Sequence, residues 1–108
     1  MHLYKEYIQE RTSKQILGDE RGFAVYSYVE TAVYIEDIFV LKDFRQSGIA
    51  AKMADEIADE ARKKEIKIML GSVDPLAKGA DDSIKVLHAY GMKVTGTQNG
   101  LIFFKKDI

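Results

Sequence analysis

The stretch Val40-Leu41-Lys42-Asp43-Phe44-Arg45-Gln46-Ser47-Gly48-Ile49-Ala50 passes from an apolar run, through a polar loop with one glycine, into the start of a periodic apolar pattern. Ahead of it, Phe23-Ala24-Val25-Tyr26-Ser27-Tyr28-Val29 and Val33-Tyr34-Ile35-Glu36-Asp37-Ile38-Phe39-Val40 are rich in β-branched and aromatic residues and are separated by Glu30-Thr31. That composition predicts two paired antiparallel strands. Behind it, Ile49, Ala50, Met53, Ala54, Ile57, Ala58 and Ala61 recur every three or four residues, the mark of an amphipathic helix. Its alanine-rich face allows close packing on a sheet, and Glu56, Asp59, Glu60, Arg62, Lys63 and Lys64 are expected to form a solvated face.

A polar loop entering a helix is anion-binding geometry. The first N–H groups of a helix lack partners within it, the macrodipole favours negative charge, and a glycine lets a phosphate approach the backbone. Arg45, Ser47 and Lys52 could add side-chain donors. The plainer reading of the same residues is a tight turn at Gly48 with a solvated Arg45.

Outward from this centre, Ile66-Lys67-Ile68-Met69-Leu70 predicts a strand, and strand, long helix and strand in succession predict a crossover between parallel neighbours. Gly71 to Gly79, with the sole proline Pro75, is expected to be loop. Asp81-Asp82-Ser83 offers N-cap chemistry for a helix carrying Ile84, Val86, Leu87 and Tyr90, which Gly91 ends. Met92 to Thr97 and Leu101 to Lys105 flank Asn99-Gly100, a type I′ hairpin signal. At the other end, Leu3, Tyr7 and Ile8 fall at helical spacing and Gly18 stands where a helix would stop, which predicts one short helix within residues 3–17. The order is helix, strand, strand, helix, strand, helix, strand, strand, an α/β or α+β mixed sheet with helices packed on it.

With 108 residues, 46% hydrophobic and 31% charged, residues 1–108 are expected to form a single compact domain. Lys+Arg 16 against Asp+Glu 17 gives a formal net charge of -1, so nothing draws the chain as a whole to nucleic acid or an anionic membrane. Cys 0 removes disulfides, thiolate nucleophiles and Cys-ligated zinc, and His2 and His88, far apart in sequence, make no metal site. The longest apolar runs, such as Ile38-Phe39-Val40-Leu41, are strand-sized, and the expected location is the cytoplasm. No Walker loop, G-x-G-x-x-G or His/Ser/Asp set occurs.

Arg45, Gly48 and Ala50, set between a strand ending Ile38-Phe39-Val40 and the longest helix, match R/Q-x-x-G-x-G/A. In this the chain resembles the GNAT superfamily of N-acetyltransferases, over roughly residues 22–106. The resemblance implies a mostly antiparallel mixed sheet with a central, splayed parallel pair of strands, the strand from Ile66 to Leu70 forming one side of the gap. It implies acetyl-CoA as co-substrate, its pyrophosphate held by backbone N–H groups of Gln46, Ser47, Gly48, Ile49 and Ala50, with Arg45 alongside. The pantetheine arm would pair with the strand edge ending at Val40, and backbone N–H groups near Phe39, Val40 and Leu41 would polarise the thioester carbonyl.

A glutamate on this strand often serves the family as base. Alternation places Tyr34, Glu36, Ile38 and Val40 on one face, which makes Glu36 the candidate; a solvated strand carboxylate is the other reading. The family's usual acid, a tyrosine four residues before a Gly-Phe pair, falls on Leu87, so Tyr90 and His88 are the candidate substitutes, His88 lying ~100° round the helix from Leu87; a buried core tyrosine and a surface histidine are the other reading. The proline that commonly follows the strand is Lys42, and a later asparagine-alanine pair falls on Ala80 and Ser83. The family's first strand and one early helix have no clear counterpart ahead of Gly22, and an open acceptor face would suit a bulky amine such as a protein lysine or N-terminus. The expected partners are that amine acceptor and, at most, a second copy in a homodimer, with no nucleic acid and no membrane. Two readings without catalysis stand beside acetyl transfer: an acyl-CoA-binding protein on the same fold, and a protein-interaction module.

Overall fold

The computed structural model describes residues 2–108. The chain runs α1 (His2–Arg11), β1 (Gln15–Asp19), β2 (Gly22–Val29), β3 (Ala32–Val40), a single 3₁₀ turn (Lys42–Phe44), α2 (Ile49–Lys63), β4 (Ile68–Val73), α3 (Ala80–Ala89), β5 (Lys93–Gln98) and β6 (Leu101–Asp107). The strands form one six-stranded sheet in the order β1-β2-β3-β4-β6-β5. Only β3 and β4 are parallel, joined by the α2 crossover; every other neighbouring pair is antiparallel.

Strand composition and helix periodicity account for the centre. Val33 and Met69, on adjacent strands, face Ile57, Ala58 and Ala61 of α2, and all five are 0% exposed. Three alanines in the contact stripe (Ala54, Ala58, Ala61) let the helix lie close on the sheet. Phe104 and Met92 extend this core toward α3, on the same face as α2. At the far hairpin, Asn99 (φ 53°) and Gly100 (φ 79°) both adopt the left-handed conformation that a type I′ turn needs.

Four expectations are corrected. The first helix ends at Arg11, and Gln15–Asp19 is a strand paired with β2. Gly18 does not stop a helix: a Cβ there would lie 2.4 Å from the carbonyl oxygen of Gly22, so the glycine permits close passage of the β1–β2 hairpin. Ile16 is 2% exposed yet takes no part in the cluster under α2, whereas its neighbour Leu17 packs on that cluster; β1 therefore buries a residue on each face, and α1 lies beside it on the face opposite α2. Leu3 and Tyr7 of α1 are exposed, and the side chain of Ile8 lies outside the described residues.

β4 starts at Ile68 and continues to Val73, taking in Gly71 and Ser72 that read as loop; the backbone of Ile66 instead closes the end of α2 by bonding Ala61 at 2.9 Å. α3 begins at Ala80 after Gly79 with no side-chain cap, so Asp81 and Asp82 lie in its first turn, where they favour the positive end of the helix dipole. Finally, Glu60 is not merely solvated: its two carboxylate oxygens accept hydrogen bonds from Tyr26 and Tyr28 of β2, each 2.7 Å.

Candidate active site: a forked sheet beside a helix N-terminus

The parallel ladder is short. β3 and β4 pair from Ala32↔Ile68 to Ile35↔Gly71 and then part. β3 runs on to Val40 with only β2 as neighbour, while β4 stays on β6 as far as Val73↔Ile102. Beyond Ile35, one edge of β3 therefore presents backbone N–H and C=O groups to a gap, the arrangement an extended ligand can use as a strand. On the helix face this fork is floored by Ile35, Ile38, Ala54, Met69 and Leu87.

The fork begins where β3 is irregular. Val25 pairs with Asp37 but Tyr26 pairs with Ile35, so Glu36 is the extra residue of a β-bulge. The bulge splits the face expected from strict alternation. Tyr34 lies opposite the buried Val33 and Ile35, whereas Ile38 and Val40 pack against the core under α2 while the exposed Asp37 and Phe39 turn outward, Phe39 meeting Phe23 (centroids 5.9 Å). Glu36 is thus on the face away from the helices α2 and α3. There its carboxylate forms an ion pair with Lys14 Nζ at 2.9 Å, the Glu36 side chain being 28% exposed.

At the end of β3 the loop turns through Gln46 (φ 61°) and Gly48 (φ 82°) into α2. Gly48 occupies the N-cap position and no side chain caps the helix; the first bond in the turn runs from Lys52 N–H to Gly48 carbonyl at 3.0 Å. The N–H groups of Ile49, Ala50 and Ala51 consequently have no partner within α2. A Cβ at Gly48 would meet nothing within 4 Å, so the approach to these donors is open. The side chains expected to supplement them are otherwise engaged. Arg45 Nε donates to the Val40 carbonyl at 2.9 Å, with its guanidinium 5.8 Å from the Phe39 ring, and Ser47 Oγ donates to the Phe44 carbonyl. Lys52 lines a separate cleft with Leu17, Asp19 and Arg21. The backbone donors at the start of α2 are therefore the groups left open there, and Arg45 and Ser47 hold the loop in shape.

The acid candidates lie on the helix face. Tyr90 donates its phenol to Asp55 Oδ1 of α2 at 2.7 Å, and Lys106 Nζ lies 3.9 Å from its ring centroid and donates to its carbonyl at 2.8 Å. Burial, then the Asp55 carboxylate, hold this phenol above the usual tyrosine pKa. His88 is exposed on α3, and Leu87 closes the fork floor, 3.9 Å from where a Cβ on Gly71 would stand. Glu36 and Tyr90 are therefore on opposite faces, with the fork between them. Sequence reasoning missed one pair: Tyr34 of β3 and Ser72 of β4 hydrogen-bond hydroxyl to hydroxyl across the two strands where they part. Tyr34 was visible as the alternation partner of Glu36, but Ser72 lay in a stretch read as loop.

Among the described residues no three His, Cys, Asp or Glu side chains gather as a metal site, and no helix is long and apolar enough to cross a membrane.

The model of the acetyltransferase (GNAT) family matches residues 14–88. A search of curated protein sequences finds no significant match. Among solved structures, the chain is similar to the PaiA N-acetyltransferase of Thermoplasma acidophilum in complex with coenzyme A (TM-score 0.78, 14% identity, 95% of this chain and 66% of that one). It is similar also to a GNAT family acetyltransferase of Elizabethkingia anophelis with acetyl-CoA bound (TM-score 0.72, 16% identity, 99% and 82%). A third is the IAA acetyltransferase of Bacillus cereus (TM-score 0.73, 12% identity, 99% and 84%). The chain spans just under two thirds of the length of the Thermoplasma protein. At these identities the likeness is one of fold.

Proposed function

The chain belongs to the acetyltransferase (GNAT) family, and on that premise we propose that it is an N-acetyltransferase, moving the acetyl group of acetyl-CoA to an amine. The observation that carries this reading is the adjacency of two unsatisfied backbone surfaces, the N-terminus of α2 and the free edge of β3 after Ile35. The N–H groups from Gln46 to Ala50 suit a pyrophosphate, which they can bind without any lysine or arginine. The β3 edge beyond Ile35 suits the amide-bearing pantetheine arm, the Val40 carbonyl at its end being already taken by Arg45 Nε. The anion site opens on the helix side and Glu36 on the other, so an arm that joins them threads the fork.

Acetyl-CoA supplies an activated acyl carbon; the chain positions it and handles protons. Of the backbone N–H groups of Phe39, Val40 and Leu41, that of Leu41 is given to the Arg21 carbonyl at 2.8 Å, so by strand alternation it is the Val40 N–H that faces the gap and serves to polarise the carbonyl oxygen. Glu36 accepts a proton from the incoming ammonium, directly or through water, and its ion pair with Lys14 orients the carboxylate. Among the described helices only α1 lies on that face, beside β1, and this supports an amine on a bulky carrier, a protein lysine or N-terminus, as acceptor. A second reading, an acyl-CoA-binding protein without catalysis, draws on Leu87 in the floor and on the engagement of Tyr90 with Asp55.

Acetyl-CoA at ~100 times its dissociation constant should add ~2.7 kcal/mol of stability, a melting shift on the order of 10 °C for a domain of this size. Incubation with lysine-bearing peptides and acetyl-CoA, read by mass spectrometry, tests transfer. Glu36→Gln should lower kcat at least tenfold near neutral pH and leave acetyl-CoA affinity within twofold. Absence of both melting shift and calorimetric binding would remove the cofactor; binding without transfer to any amine would leave the second reading.

A further inference from the structure

On the reading just given, transfer is speeded by a proton for the departing thiolate, and among the described residues lining the helix face of the fork none is a free donor for it. Leu87 is aliphatic, His88 stands exposed on the outer part of α3, and the Tyr90 hydroxyl already donates to Asp55. We propose that Tyr34 and Ser72 form the proton relay of this site, Ser72 touching the sulfur and Tyr34 re-protonating Ser72.

Placement carries the proposal. The last paired residues of the parallel ladder are Ile35 and Gly71, and the two hydroxyls belong to their immediate neighbours, Tyr34 before the one and Ser72 after the other. They meet across the crotch of the fork, on the side of the sheet that carries Glu36. Among the described residues each hydroxyl has the other as its side-chain hydrogen-bond partner. A pair that only fastened β3 to β4 would be redundant with the ladder beside it, whereas a hydroxyl at the crotch borders the space that an acyl thioester threading the fork must cross. Ser72 is placed on β4 by its pairing with Phe103 of β6, so its hydroxyl is held by sheet rather than by loop.

The step balances with these groups alone. The amine nitrogen forms a bond to the acyl carbon, the carbon–sulfur bond breaks and its electron pair stays on sulfur. The Ser72 hydroxyl proton passes to sulfur, the Tyr34 hydroxyl proton passes to Ser72, and the resulting phenolate recovers a proton from water on the outer face. The nitrogen sheds two protons by way of Glu36 to bulk water, one from the ammonium before attack and one after the bond forms, and one of these replaces the proton that water gives the phenolate. A thiol of ordinary pKa ~8.5 can depart without help near neutral pH, so losing the relay slows the reaction without abolishing it.

The test is steady-state kinetics of Tyr34→Phe, Ser72→Ala and Ser72→Thr across pH, beside calorimetric acetyl-CoA affinity and circular dichroism for each. The expected result is a fall in kcat of tenfold or more for Tyr34→Phe and Ser72→Ala, with acetyl-CoA affinity within twofold of the parent chain. The fall in rate at alkaline pH that a required acid imposes should vanish in Tyr34→Phe. Ser72→Thr should recover most of the rate, and the double variant should be no slower than the slower single one, because the two act as a unit. Parent-like kcat in either single variant, or a loss confined to KM with the alkaline limb unchanged, overturns the relay while leaving acetyl transfer intact. Failure of the unaltered chain to bind acetyl-CoA, or to transfer from it, overturns the function itself and the relay with it.

Discussion

The two ends of α2 handle the same polar demand in opposite ways. In its C-terminal half, Glu60 takes hydrogen bonds from Tyr26 and Tyr28, Lys64 Nζ lies 4.6 Å from the Tyr28 ring centroid, and the two tyrosine rings meet edge to face at 6.1 Å. These groups are answered by the protein's own side chains, over a floor of Ile57, Ala58 and Ala61. At the N-terminal end no side chain caps the helix, a glycine stands in a left-handed conformation, and Phe39, Leu41 and Phe44 remain exposed. A helix terminus left without a cap forgoes ~1 kcal/mol of stabilisation, which is tolerable where solvent or a ligand anion answers the donors. One half of the helix thus holds the fold, and the other is kept available.

Substitutions at the two ends should therefore separate stability from binding. The largest effect is expected from Gly48→Val, which places a branched residue at φ 82° and its methyl groups over the N-terminal donors. Acetyl-CoA affinity should fall at least 100-fold by calorimetry, while the left-handed residue costs ~1–2 kcal/mol of stability. Unchanged affinity in the folded variant would mean the loop is only a turn. Glu60→Ala is the mirror experiment. It strips a charged acceptor from two phenols, one of them buried, and should cost about 2–3 kcal/mol in denaturant unfolding with acetyl-CoA affinity unaltered. A parallel loss of affinity would break the separation of the two ends.

Arg45→Ala should act more mildly, because Arg45 fastens the loop to the Val40 carbonyl and backbone donors remain. About tenfold weaker acetyl-CoA binding is expected, with a shallower dependence on salt once the guanidinium is gone.

The smallest effect concerns pH. Burial first, and the Glu60 carboxylate second, push the phenols of Tyr26 and Tyr28 above the ordinary value of 10.0. Folding therefore favours their neutral forms. That contribution is whole below pH ~10 and is lost as pH climbs from there toward the raised values of the folded state. Thermal melts should drop by a few degrees over that interval, and Glu60→Ala should flatten the drop. A melting temperature indifferent to pH above 10 would show that the phenols ionise alike in the folded and unfolded chain.

How far each region was legible follows from the range of the forces involved. The N-terminal end of α2 could be read directly: a strand, a polar loop with Arg45 and Gly48, and a periodic alanine face are contiguous in sequence, and helix termini obey local rules. β1 was harder. Gln15–Asp19 holds only two apolar residues, Ile16 and Leu17, on opposite faces, and its glycine mimics a helix stop until the approach of Gly22 in the paired hairpin explains it. The extension of β4 through Ser72 was hidden for a like reason, since Gly71-Ser72-Val73 becomes strand by pairing with Phe104, Phe103 and Ile102, which are distant in sequence.

By itself, then, the sequence determined the compositional class, the crossover of β3, α2 and β4, the hairpin at Asn99-Gly100 and the loop that enters α2 at Gly48, because propensity, periodicity and turn chemistry act over a few neighbouring residues. Tertiary structure alone decided three matters: the bulge that turns Glu36 away from Ile38 and Val40, the engagement of Tyr90 with Asp55, and the meeting of Tyr34 and Ser72 at the fork. Each depends on which strand or helix comes to lie alongside. A single extra residue in one partner of a ladder reverses the face of the residues beyond it, and local sequence carries no trace of that register.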